Sequence, residues 1–319
     1  MNGRLSALKS KSHPGRVATI SRCPSSDGKF TLRYSEKPVE KVWVESRNGQ
    51  KLREIQASED QTITAAGWSP HCNACYVVCS GADDPVPNHR GKNKSTESGL
   101  FVFGIRNRKF RLAVRGPVGE PQWSSDGRYI ACIMTGSEKP ESIPESVQSR
   151  VGYLRVYESS SLRQMLSPKK IALDAKFSPD GRYVAFIELV KDEYGEFANF
   201  ALKVANIRSG GVVSIVVNRR EPNYAWAGNG RLAVVTYDKF AVPSLGLVDL
   251  ATRKSTRLAT SHGFASFEPL AYVSSENIVA YKAATSISGE KPEELWAARP
   301  GSAPMRLFPR VGGTGYAKR

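Results

Sequence analysis

One short phrase recurs six times along this 319-residue chain and limits its fold more than any other feature. The clearest copy is Phe177-Ser178-Pro179-Asp180-Gly181-Arg182-Tyr183-Val184-Ala185-Phe186-Ile187. Asp180 can accept a hydrogen bond from its own backbone two residues on, and Gly181 takes a positive φ without steric cost, so the middle is a tight turn. The apolar, aromatic and β-branched run after it reads as a buried strand. Related phrases are anchored at Pro24, Trp68, Trp123, Trp226 and Tyr272, so successive anchors lie 44, 55, 54, 49 and 46 residues apart.

Each copy is followed by two more short apolar runs across a polar turn, such as Leu100–Phe103 with Phe110–Leu112 and Ala201–Val204 with Val212–Ile215. Every repeat therefore carries four strands. A period of this length with four strands per period predicts an all-β chain, a six-bladed β-propeller with four antiparallel strands per blade. The blades occupy residues 16–308. Residues 1–15 and 309–319 read as polar, basic or Gly-rich flexible tails.

The phrase Trp-Ser-Pro-Asp-Gly-(Lys/Arg)-x-Ile-Ala-Phe with a following Tyr-x-Val-like strand resembles the repeat of TolB-type (WD40-like) propellers. The copies at 123 and 177 carry it best. His71-Cys72 stands where Asp-Gly is expected, and Glu276-Asn277 replaces Gly-Arg. The resemblance implies a ring closed by apolar faces of its first and last blades, and a function in binding. The same repeat occurs beside hydrolase domains in prolyl-oligopeptidase-like and tricorn-like proteases. No Gly-x-Ser-x-Gly nucleophile motif stands in this sequence.

No apolar run approaches the roughly 18 residues that span a bilayer. The first residues, Met1-Asn2-Gly3-Arg4-Leu5, lack a signal-like apolar core. Read as it stands, the chain is expected to be a cytoplasmic monomer, or a periplasmic or exported one if its N-terminus has been trimmed. Five cysteines do not make a disulfide scaffold. A net charge of +16 and a pI near 9.7 direct attention to acidic partners.

Two rims follow from an up-and-down blade. One gathers the long second-to-third-strand loops, and from it Asp83, Asp84, His89, Lys92, Glu141 and Tyr194 are expected to contact a protein or peptide partner. The other holds the Asp-Gly turns and the third-to-fourth-strand turns. There basic residues outnumber acidic ones, and Arg106, Arg108, Lys109, Arg128, Arg182, Arg231, Arg253 and Lys254 are candidates for a polyanion.

His71, Cys72, Cys75 and Cys79 invite a metal site. Cys75 and Cys79 on one extended strand would lie about 13 Å apart, far beyond a shared zinc shell, so core packing is expected and no metal. The repeated Trp positions read as packing between blades, and no cofactor motif is present. The sequence thus favours a non-enzymatic scaffold for a protein or peptide. Non-specific binding of nucleic acid is the alternative. A second alternative is an enzyme at the channel mouth, using Asp83, Asp84 or Glu193 with His89 or His262. No catalytic set is marked.

Overall fold

The computed structural model describes residues 20–35, 41–57, 61–81, 98–119, 121–135, 143, 145–148, 150–168, 170–260, 263–284 and 293–307. These are almost wholly β-strand and turn; the one α-helical turn, α1, is Glu145–Gln148. The chain divides into two compact units, Met1–Ala175 and Lys176–Arg319.

Unit one begins with the antiparallel meander β1 (Ile20–Pro24), β2 (Phe30–Ser35), β3 (Lys41–Ser46) and β4 (Lys51–Gln56). A second meander follows, β5 (Gln61–Trp68), β6 (Ala74–Gly81), β7 (Gly99–Gly104) and β8 (Lys109–Arg115). Then come β9 (Gln122–Trp123), β10 (Tyr129–Met134), β11 (Gly152–Glu158) and the short β12 (Gln164–Leu166). Because β12 covers only Val156 and Tyr157 of β11, the beginning of β11 is left open. The chain returns to fill it: Gly152 and Tyr153 pair with Ala172 and Ile171 at the start of β13 (Ile171–Phe177). Neighbouring repeats here share backbone hydrogen bonds, which side-chain packing alone between blades would not require.

Successive sheets of unit one pack face to face, and β6 shows the period-two logic. Cys75, Val77 and Cys79 point to one side, where they meet Leu32, Val42, Val44 and Ile55 of the first meander. Ala74, Tyr76 and Val78 point to the other, where they meet Val118, Ile130 and Cys132. With both faces covered, the strand is apolar throughout, as Ala-Cys-Tyr-Val-Val-Cys requires. The recurrent aromatics lie at these seams: Phe30 with Trp68 and Tyr76 with Trp123, ring centroids 6.2 and 6.4 Å apart.

The turn of the repeated phrase is held by a group that its Asp-Gly pair does not reveal. Ser124 is buried, donates from Oγ to Asp126 Oδ1 at 2.6 Å and accepts from the Tyr129 amide at 2.9 Å, while Asp126 Oδ1 accepts from the Arg128 amide at 3.1 Å. Ser25 and Ser178 repeat the arrangement. In the second repeat Ser69 bonds Asn73 instead, and Cys72 takes the glycine place with φ +54°. Its buried Sγ accepts from the Ser26 amide at 3.0 Å, tying two consecutive turns together.

Unit two contains β14 (Tyr183–Lys191), β15 (Phe197–Asn206) and β16 (Val212–Asn218). Two four-stranded meanders follow: β17 (Tyr224–Trp226), β18 (Arg231–Tyr237), β19 (Pro243–Asp249) and β20 (Ser255–Thr260), then β21 (Ser266–Val273), β22 (Ile278–Ala284), β23 (Glu294–Ala298) and β24 (Met305–Arg306). Val235, Leu245 and Leu258 of the first meander and Phe267, Tyr281 and Ala283 of the second share one apolar cluster. Tyr183 stacks on Trp226, whose indole Nε1 donates to the Lys176 carbonyl at 2.8 Å.

Candidate functional site

Within unit one, a cavity of about 250 Å³ opens where β10, the lead into β11 and the middle of β13 converge. Its polar lining is Gln122, Cys132, Thr135, Arg150 and Asp174, with Gly119, Ala131, Ile133 and Ala175 completing the wall. The site exists because β13 runs beside the beginning of β11, bringing Asp174 to the strand end that carries Thr135 and Arg150.

Asp174 is the unusual member. It interrupts the apolar stretch Ile-Ala-Leu-Asp-Ala and adopts φ +51° inside a strand, a left-handed conformation that is costly for a residue with a Cβ. Its two flanking neighbours, Leu173 and Ala175, are buried while Asp174 is half-buried and lines the cavity. Arg150 supplies a guanidinium on the same wall, and Gln122 and Thr135 supply uncharged donors and acceptors. Cys132 is a poor nucleophile here. Burial pushes its thiol up to about 12, against a smaller opposing effect of the Arg155 guanidinium. A carboxylate and a guanidinium in one recess suit proton transfer beside an anionic substrate group.

None of these cavity residues was singled out by the sequence. The signal available was the acidic residue in the otherwise apolar stretch Ile171–Ala175. Of the residues expected at the long-loop rim, Asp83, Asp84, His89, Lys92 and Glu141 lie outside the described residues, as does His262. Tyr194 tips the turn between β14 and β15 and is 81% exposed. Asp192 caps that turn, accepting from the Tyr194 and Glu196 amides at 2.9 and 3.1 Å.

The basic candidates divide by what they touch. Arg128, Arg182 and Arg231 face carboxylates of Asp126, Asp180 and Asp249 at 2.5, 3.6 and 3.5 Å. Arg106, Arg108 and Lys109, on the turn from β7 to β8, are exposed and have no carboxylate partner among the described residues. Arg253 and Lys254, on the turn from β19 to β20, have none either among the described residues. Cys75 and Cys79 are fully buried among apolar side chains. Among the described residues no three His, Cys, Asp or Glu side chains converge as a metal site would need, and no helix is long and apolar enough to cross a membrane.

The chain matches no family model and no curated protein. Among solved structures it is similar to oligogalacturonate lyase from Vibrio parahaemolyticus, at TM-score 0.50 and 12% identity over 91% of this chain and 78% of that one. It is also similar to a prolyl endopeptidase, at TM-score 0.54 and 13% identity over 91% of this chain and 43% of that one, so it spans less than half of the peptidase. TolB from Acinetobacter baumannii matches at TM-score 0.38 and 13% identity over 77% of this chain and 55% of that one, too low to support the TolB-type family. The fold is thus of β-propeller type. The expectation of a non-enzymatic scaffold is corrected by these findings: the similar structures at TM-score 0.50 or above include oligogalacturonate lyase, a prolyl endopeptidase and an acylaminoacyl peptidase. The expectation that the chain is not an enzyme rested on the missing catalytic motifs.

Proposed function

We propose that this chain is an enzyme of the six-bladed propeller type, with its site in the cavity of unit one. Among the described residues twenty-four strands follow in chain order, four to each copy of the repeated phrase, and they support the blade count. The observation that carries the enzymatic reading is Asp174, a carboxylate held at φ +51° on the wall of a cavity that also presents Arg150.

The reaction that this pair fits is β-elimination in an acidic oligosaccharide, the substrate class of the lyase that shares the fold. Arg150 would hold the uronate carboxylate, and its charge would acidify the C–H beside that group. Asp174 would take that proton. The electron pair left behind forms a C=C bond as the neighbouring glycosidic C–O bond breaks, and the leaving oxygen takes a proton from water. Gln122 and Thr135, which line the same cavity, would hydrogen-bond sugar hydroxyls. Hydrolysis of a peptide through a serine elbow has no residues to carry it in this sequence.

The test is incubation with oligogalacturonate, read by the absorbance of the unsaturated uronate product. The wild-type chain should form it, and Asp174→Asn should slow formation by ~100-fold or more with the circular dichroism spectrum unchanged. Arg150→Gln should raise KM more than it lowers kcat. Product formation that survives Asp174→Asn removes Asp174 from the chemistry, and no product from wild type removes this substrate.

A further inference from the structure

The turn joining the third and fourth strands of each repeat passes through one left-handed residue. Glycine fills that place at Gly49, Gly210 and Gly301, with φ +83°, +72° and +76°. Three repeats use a residue with a side chain instead: Arg108 at +48°, Leu162 at +60° and Arg253 at +57°. Leu162 is half-buried and packs on the apolar cluster around Tyr157, so contact offsets its conformational cost. Arg108 and Arg253 are exposed. Neither has a side-chain partner among the described residues to offset that cost, and glycine would suit both places better. Each is followed by an exposed lysine, Lys109 and Lys254, so the same strained Arg-Lys pair appears once in unit one and once in unit two.

The unit-one pair is the stronger of the two. Arg106, Asn107, Arg108 and Lys109 are consecutive and exposed, and the turn is closed by the Arg108 amide donating to the Gly104 carbonyl at 2.9 Å. Three cations thus lie within four consecutive exposed residues, with no carboxylate beside them among the described residues. By contrast, the turn arginine Arg128 is neutralised at 2.5 Å by Asp126. Three cations so closely spaced on one turn suit a repeating backbone charge.

We propose that the Arg106–Lys109 turn is a binding site for the phosphodiester backbone of nucleic acid, without base readout. The exposed cations supply the affinity and displace counterions, while Arg108 accepts a strained backbone in order to project a guanidinium.

The decisive variants are Arg108→Gly and Lys109→Gln, measured by anisotropy of a labelled DNA duplex between ~50 and ~200 mM salt. Each should weaken duplex binding several-fold and lower the slope of log affinity against log salt by about one. Arg108→Gly should also leave the melting temperature unchanged or raised, because glycine prefers this φ, so loss of binding would not be loss of fold. Arg115→Gln, at the opposite end of β8, removes the same charge and serves as control. Equal weakening by Arg115→Gln, or an unchanged slope with the turn variants, overturns the site. So does binding of heparin without binding of the duplex, which would assign the turn to an acidic polysaccharide.

Discussion

A Cβ built on Gly152 would stand 1.7 Å from the carbonyl oxygen of Met134, across the hairpin that walls the candidate site. The obstacle is backbone and cannot rotate away. Gly152 opens β11 and Met134 closes β10, so their close approach sets the strand end from which Thr135 and Arg150 reach the cavity. Gly152→Ala should therefore cost ~3 kcal/mol or more in chemical denaturation, or separate the strand ends. Gly104→Ala, whose new methyl would meet nothing closer than 3.9 Å, should cost far less. Equal effects of the two would show that the Gly152 backbone relaxes freely.

In unit two, the Tyr224 hydroxyl donates to the Ala185 carbonyl at 3.1 Å, in a buried contact between β17 and β14. Tyr224→Phe keeps the ring, and with it the packing, but deletes the donor. It should destabilise by about 1–2 kcal/mol, the range for a buried acceptor that loses one partner. Lys176 Nζ lies 4.6 Å from the same ring and bonds the Tyr224 carbonyl, so Tyr224→Leu should cost clearly more than Tyr224→Phe.

The repeated turn carries a pH signature. Burial opposes ionisation of Asp126, but hydrogen bonds from Ser124 and from the Arg128 amide and guanidinium outweigh it and hold the carboxyl below its usual value. A depressed folded pKa contributes stability that is fully present above the unfolded value near 4. That contribution is lost as pH falls through the lower folded value. Wild type should melt higher than Asp126→Asn from about pH 5 to neutrality, and the two curves should converge in stronger acid. Parallel curves across the whole range would mean that Asp126 gains nothing from its charge.

Cys132 gives a chemical readout of the cavity wall. With its thiol pushed up to about 12, it is almost wholly protonated at pH 8. Alkylation of folded protein at that pH, followed by peptide mapping, should leave Cys132 unmodified until denaturant is added. Rapid native labelling would show that the thiol is open to solvent and ionised.

How much of this was legible follows from where each signal is stored. The turns at Asp27, Asp126 and Asp180 were readable because Asp and Gly act on their own backbone, within two residues. The serine before each turn was not singled out, since Ser124 earns its role only when burial leaves Asp126 and the Tyr129 amide as its partners. Cys72 hides a glycine-like conformation behind a side chain that bonds a neighbouring repeat, and sequence chemistry alone gives no sign of it. The pairing of β13 with β11 depends on how short β12 is, a tertiary fact that no turn residue encodes. The cavity follows from that pairing, so it was invisible for the same reason.

Asp174 joins strain to chemistry, and two substitutions separate them. Asp174→Gly removes the carboxylate and also relieves the left-handed backbone, a conformation that costs an L-residue roughly 1–2 kcal/mol. Asp174→Asn removes the charge and keeps a side chain that tolerates positive φ. If the strand is distorted for the sake of the site, both variants should lose turnover of oligogalacturonate, and Asp174→Gly should fold at least as stably as wild type in denaturant titration. If instead Asp174 stabilises its strand, for example through its partners on the cavity wall, Asp174→Gly will unfold earlier than Asp174→Asn. The order of the two midpoints therefore decides whether this carboxylate is retained for what it does or for what it holds.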